Sequence, residues 1–263
     1  ANTPISIQPL DKDGVAIQWM RSWVTGQPGE VVSCIGCHED QNQIAIPKRV
    51  IASQKAPSAL TLPEGGTRSF TFDLEVQPIL DRACIACHNG EGKAFDLRGG
   101  KKYKLGYGTS YLNLHPYVHR QGGEGDMVVL QPYEYHPNTS ELVRLLKKGH
   151  HNVKLTDKEW KTLYNWIDYN APDKGYFNAN VLTDLPYKGF DQIKRRKELT
   201  DKYANGAGVD WKKEIADYAD YLKKQGPITP VMPEKAAPVK EKTLKVKGWP
   251  FGADRIKEML AKE

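Results

Sequence analysis

The chain has 263 residues, 39% of them hydrophobic and 27% charged, with a formal net charge of +6. That composition suits one large or two small domains with a polar surface, and no apolar run approaches the roughly 20 residues that a membrane helix needs. The positive excess lies largely in lysines of the C-terminal third, a solvated tail rather than a nucleic-acid-binding face.

Residues 1–13 are polar and extended. The start, Ala1-Asn2-Thr3-Pro4, carries no signal peptide and reads as a trimmed end. From Val15 to Val24 apolar residues recur at helical spacing and predict a short helix, broken by Pro28-Gly29-Glu30. The motif Cys34-Ile35-Gly36-Cys37-His38 follows, then a loop punctuated by Pro47, Pro57 and Pro63. Gly65-Gly66 marks a boundary. Phe72 to Leu80 leads into a helix predicted to carry a second motif, Cys84-Ile85-Ala86-Cys87-His88, near its C-terminal end, with Asn89-Gly90 as the stop.

Residues 99–125 are rich in glycine and tyrosine and read as loops. A helix is predicted over 141–148, capped by Ser140 or Thr139 and ended by Gly149. His150 and His151 follow at once. Thr156-Asp157-Lys158-Glu159 is a capping box that opens a helix with Trp160, Leu163, Tyr164 and Ile167 on one face, closed by Asn170-Ala171-Pro172. Residues 191–203 and 209–224 read as two polar helices, the second with Trp211, Ile215, Tyr218 and Leu222 as its stripe. Residues 226–250 are rich in proline and lysine and read as a linker or an arm on a partner, with Trp249-Pro250-Phe251 as its anchor and a short charged helix over 253–262.

The two motifs are copies of Cys-x-x-Cys-His and use all four cysteines. Two thiols at this spacing reach the two vinyl groups of one porphyrin, and the adjacent histidine places its imidazole under the iron. The expected cofactors are therefore two covalently bound haem c groups, on Cys34, Cys37 and His38 and on Cys84, Cys87 and His88. The competing readings are a zinc site, which does not require a histidine straight after each second cysteine, and two disulfides. Two haems bring about four propionates, which offset most of the positive charge. Haem attachment takes place outside the cytoplasm, so a periplasmic or equivalent compartment is expected, with a leader removed.

The expected architecture is mainly α, with small cytochrome c-like helical domains and long irregular loops. Residues 1–65 form a segment for the first haem and 66–173 a cytochrome c-like domain for the second. Residues 174–225 form a helical extension and 226–263 an arm or linker. Of the seven histidines, His115, His119, His136, His150 and His151 fall in one 37-residue stretch after the motif histidines. His150 and His151 precede the last helix of that domain, where small cytochromes place their distal ligand. Either fits as sixth ligand, with His151 preferred. His136 is the next candidate metal ligand, for either iron, and His115 and His119 read as surface residues or as donors to the first iron. Methionine is a poor candidate: Met20 precedes the first motif, Met127 sits in a polar loop, and Met232 and Met259 lie in the tail. Two histidines favour ferric iron more than histidine with methionine does, so at least one low-potential haem is expected.

Gln18-Trp19-Met20-Arg21-Ser22-Trp23, Pro28-Gly29-Glu30 and Ser33 to Glu39 resemble haem domains of planctomycete multidomain proteins. So do Glu134-Tyr135-His136, Lys148-Gly149-His150-His151 and Trp166-Ile167-Asp168. These domains include the haem-bearing middle and C-terminal parts of the hydrazine synthase alpha subunit, and the resemblance covers roughly residues 15–172. It implies one reaction-centre haem, with a tyrosine ligand four residues after its motif histidine, and one bis-histidine electron-transfer haem. Here Asn42 stands four residues after His38.

Three functions follow. The first is a dihaem electron-transfer protein serving a redox partner protein, as a subunit of a larger complex or hetero-oligomer. The second is a haem oxidoreductase with an open first iron acting on a small nitrogen compound or peroxide. The third is a sensor or scaffold module cut from a longer chain. No P-loop, nucleophile elbow or zinc-protease motif offers another chemistry.

Overall fold

The computed structural model describes residues 5–18, 20, 23–27, 29–32, 51, 54–92, 94–102, 106–121, 131–174, 192–203 and 210–234. The first motif, Trp19, Asn42, Pro47, Met127 and the predicted elements beyond residue 234 lie outside these. The fold is mainly α. Among the described residues seven α-helices follow one another: α1 (Phe72–Glu75), α2 (Gln77–Ala83), α3 (Thr109–Leu114), α4 (Glu141–Lys147), α5 (Asp157–Asp168), α6 (Gln192–Tyr203) and α7 (Trp211–Lys224). Among the described residues the extended pairing is limited to three isolated bridges. No helix there is long and apolar enough to cross a membrane.

The chain divides into two compact units. One comprises residues 1–69, 122–134 and 175–225, the other 70–121, 135–174 and 226–263. In the first unit, none of the described residues of the predicted 15–24 helix is helical. Gly14, at φ +78°, turns the chain back on itself, and Asp11 closes the turn by accepting the Asp13 and Val15 N–H groups on its carboxylate. Bridges then join Leu10 to Ala16 and Ile5 to Val24. The apolar spacing belongs to a folded ribbon with Val15 and Ala16 buried, not to a helix face. α7 forms as predicted, with Asp210 capping its start by accepting the Lys213 N–H at 3.1 Å. Tyr218 is its buried residue and the Arg68 guanidinium lies 3.6 Å over its ring.

The second unit holds a continuous core. Phe72, Val76, Ile79 and Leu80 pack with Leu97, Tyr111, Leu114, Val143, Leu163, Trp166 and Ile167. Its centre is aromatic: the Phe72 ring meets Tyr111 edge-on at 5.3 Å and Trp166 at the same separation. Polar ends of these rings are satisfied by backbone, as burial requires. Trp166 Nε1 donates to Pro172 O at 3.0 Å and the Tyr111 hydroxyl donates to Ala171 O at 2.8 Å. α3 was not expected; it places Tyr111 and Leu114 into this core, and a 3₁₀ turn over His115–Tyr117 extends it. α5 carries the predicted capping box, with Thr156 and Glu159 exchanging hydrogen bonds. Ser140 stands at the N-cap of α4, but its hydroxyl accepts the His119 N–H at 3.0 Å instead of capping the helix.

Candidate metal centre

α2 ends at Ala83, so the second motif lies in the turns just past the helix, not within it. Cys84 N donates to Leu80 O at 2.8 Å, and the Cys87 and His88 N–H groups both return to Cys84 O. This winding leaves Cys84 half-buried against the core and Cys87 exposed. Burial pushes the Cys84 thiol up to about 12, with Arg82 pulling weakly the other way. A reactive dithiol needs the opposite, a thiolate stabilised near neutral pH.

His88 is fixed by two contacts. Its Nδ1 lies 3.0 Å from Phe95 O, and Leu97 N donates to His88 O at 2.9 Å. A carbonyl accepts only, so Nδ1 carries the proton and Nε2 keeps its lone pair for a metal, the usual arrangement of a ligating histidine. Phe95 also packs its ring on His88, centroids 4.8 Å apart.

Across from it stands the turn after α4. Gly149, at φ +88°, ends the helix, and His150 begins a 3₁₀ turn. The ring centroids of His150 and His88 are 6.2 Å apart. An iron held between two imidazole nitrogens at about 2 Å each sets ring centroids about 6 Å apart. His151, preferred from the sequence, is exposed, has its backbone at φ +45°, and meets the His150 ring edge-on at 4.5 Å.

The other three histidines of the stretch are built into packing. His136 is 3% exposed and caps the 3₁₀ turn over Pro137–Thr139, its Nδ1 accepting the Asn138 N–H at 3.2 Å. That bond leaves the proton of the neutral ring on Nε2, a donor's tautomer. His119 Nδ1 bonds Thr139 Oγ1 at 3.0 Å, and its ring packs on Tyr135. His115 accepts the Arg120 Nε–H on Nε2. Burial, then Arg120, bring its pKa down to about 4.

Arg82 is a residue the sequence reading did not single out. Its Nη2 donates to Glu159 Oε2 at 2.5 Å and to Lys154 O at 3.0 Å, while its own carbonyl accepts the Val231 N–H at 2.7 Å. It thus joins the residue two before Cys84 to the turn after His150. A cavity of about 530 Å³ lies on the far side of α2, lined by Asp73, Gln77, Asp81, Ile85 and Pro230 among others. Gln77 is committed inside the protein: its amide donates to Asp81 and to Leu97 O, and its oxygen accepts the Ser110 hydroxyl.

Donor chemistry decides what this centre suits. Among the described residues no three His, Cys, Asp or Glu side chains converge on a metal position. A zinc centre of four protein ligands therefore has no support there. The His88 and His150 rings, 6.2 Å apart, and the two cysteines are the donors that a porphyrin-bound iron would draw on here.

A family model described as the hydrazine synthase alpha subunit middle domain matches residues 1–39, a stretch that ends one residue past His38. No curated protein and no solved structure matches the chain.

Proposed function

We propose that the second unit is a c-type cytochrome domain, in which Cys84 and Cys87 would anchor haem c and His88 and His150 would hold its iron. Cys34, Cys37 and His38 hold a second haem in the same way, and the chain transfers electrons, outside the cytoplasm, within a larger redox assembly. One observation carries this reading: a histidine whose Nδ1 is anchored on Phe95 O faces a second imidazole at 6.2 Å. Haem c supplies a one-electron iron couple. The chain's own groups do the rest. The Phe95 carbonyl orients the His88 ring. Two nitrogen ligands stabilise the ferric state and set a low potential. Phe95, stacked on Tyr117 at 5.4 Å, and Leu146, Leu155 and Trp160 pack against the core.

The test is spectroscopic. Mass spectrometry of the purified protein is expected to exceed the bare polypeptide by two haems. The oxidised protein is expected to show a low-spin bis-imidazole EPR signal that His150→Ala converts to high spin and His151→Ala leaves in place. A mass equal to the polypeptide alone would sink the proposal.

A second reading is favoured by a different observation. The first unit, residues 1–69, 122–134 and 175–225, contains one histidine, His38, while the other six lie in the second unit. A haem on Cys34 and Cys37 has no second imidazole within its own unit. The family match to residues 1–39 covers this motif. An open iron there gives a haem enzyme acting on a small nitrogen compound, in the manner of hydrazine synthase. Carbon monoxide bound by the reduced wild-type protein supports it; a protein whose two irons both ignore carbon monoxide excludes it.

A further inference from the structure

Around the turn that carries His150, the surface charge is lopsided. Residues 144–161 hold six bases, Arg144, Lys147, Lys148, Lys154, Lys158 and Lys161, against two acids, Asp157 and Glu159, a net +4 in a chain whose total is +6. All six bases are exposed. One of the two acids is already engaged inside the fold, since Glu159 is bound by Arg82. The other, Asp157, sits in the first turn of α5, where the helix dipole favours it. The proximal side is different: residues 72–98 carry five acids against three bases.

The fold concentrates these charges. α4 ends in Lys147, the turn supplies Lys148 and Lys154, and α5 turns Lys158 and Lys161 outward while Leu163, Trp166 and Ile167 face the core. Lys154 is held beside Arg82 by the bond from Arg82 Nη2 to its carbonyl. His150 itself is half-buried between Lys148 and Lys154, with Gly149 and His151 exposed on either side. His150 is therefore partly open to solvent within a stretch of chain whose exposed charges are mostly cations.

We propose that this basic collar is the docking surface for an acidic redox protein, which exchanges electrons with the second unit through the His150 side. The inference rests on the His88–His150 reading given above and adds the partner's chemistry: a carboxylate-rich surface around its own redox group. A collar of one sign steers association and sets orientation, and its contribution appears as an on-rate that falls with salt.

The experiment uses the full-length holoprotein and an acidic flavodoxin as the model partner, with electron transfer followed by stopped flow at the low-spin haem absorbance. The expected rate constant falls steeply with ionic strength. Lys148→Glu with Lys154→Glu is expected to slow it about tenfold at low salt. Lys212→Glu with Lys213→Glu, on the exposed start of α7, is expected to leave it unchanged. Both double variants must keep the wild-type low-spin spectrum, which separates loss of the surface from loss of the site. A wild-type protein without that spectrum overturns the axial-ligand reading and the docking surface with it. An intact spectrum with a salt-independent rate, or equal slowing in the α7 control, overturns the docking surface alone. Capture of the wild type by phosphatidylserine vesicles, abolished by the collar variant while flavodoxin rates stay unchanged, also overturns it and assigns the collar to a lipid surface.

Discussion

The two units carry the same Cys-x-x-Cys-His pattern, the first copy lying outside the described residues, and differ in what surrounds them in sequence and core. In the second, α2, α3, α4 and α5 bury a shared core, and the His150 ring lies 6.2 Å from the His88 ring of the motif. In the first, the described residues bury Val15, Ala16 and Tyr218 as their apolar residues, and His38 is the single histidine of the unit. The lesson is that a Cys-x-x-Cys-His motif specifies attachment and one axial ligand only. On the proposed haem reading, the unit around each motif would decide the rest: whether a second imidazole is offered, and how rigidly.

The contrast is broken most severely at the second unit's centre. Trp166→Ala empties a fully buried site against Phe72 and Tyr111. It is expected to cost about 3–5 kcal/mol, read from the denaturant midpoint of the second unit. Tyr218→Ala, the first unit's nearest equivalent, is expected to cost less, because its ring is covered by the half-buried Arg68 rather than by an apolar core.

A pair of glycines sharpens the comparison. Gly65, in the first unit, has φ +83°, and an added Cβ would lie 2.7 Å from Cε2 of Tyr218. Gly149, in the second, has φ +88° with open space around it. Gly149→Ala meets backbone strain alone, about 1–2 kcal/mol. Gly65→Ala adds overpacking, about 2–4 kcal/mol in all. Thermal unfolding of both variants measures the difference, and equal losses would show that Tyr218 moves aside freely.

The smallest expected effect is a pH dependence confined to the second unit. Burial pushes the Glu159 carboxyl up, but the Arg82 and Thr156 hydrogen bonds outweigh it and hold its pKa below the ordinary value. The folded state therefore binds fewer protons than the unfolded one in the carboxylate range. The stabilisation is complete above that range and drains away as pH falls through the lowered pKa. Glu159→Gln is expected to flatten this acid limb in urea titrations at stepped pH, while leaving stability at neutral pH reduced.

Much of the second unit was legible in its sequence. Thr156 and Glu159 at capping-box spacing, before apolar residues at helical intervals, specify α5 by local chemistry alone, and Gly149 ends α4 as its position predicts. The His-His pair after α4 was legible as a ligand candidate; which ring faces His88 depends on the left-handed turn at His151 and was not. α3 was hidden because Gly106, Tyr107 and Gly108 give the stretch a loop's composition, and its helix is held by Tyr111 reaching Ala171, 60 residues away. The 15–24 ribbon was misread because apolar spacing does not distinguish a helix face from a strand folded onto Leu10 and Ile5. Phe95 acts through its carbonyl, which no side-chain pattern reveals. Arg82 and Glu159 are 77 residues apart, and nothing local marks them as partners.

Arg82 gives the arrangement a mechanical consequence. Its side chain grips α5 and the Lys154 carbonyl, and its backbone carbonyl holds Val231. Three segments far apart along the polypeptide thus share one anchor beside the sulfur attachment point. On the proposed haem reading, the 6.2 Å separation of the His88 and His150 rings would thereby be preset by the protein scaffold. Replacing that single guanidinium is expected to loosen the turns that carry His88 and His150 together, and on the proposed haem reading this would show as a shifted spin state with both histidines still in place.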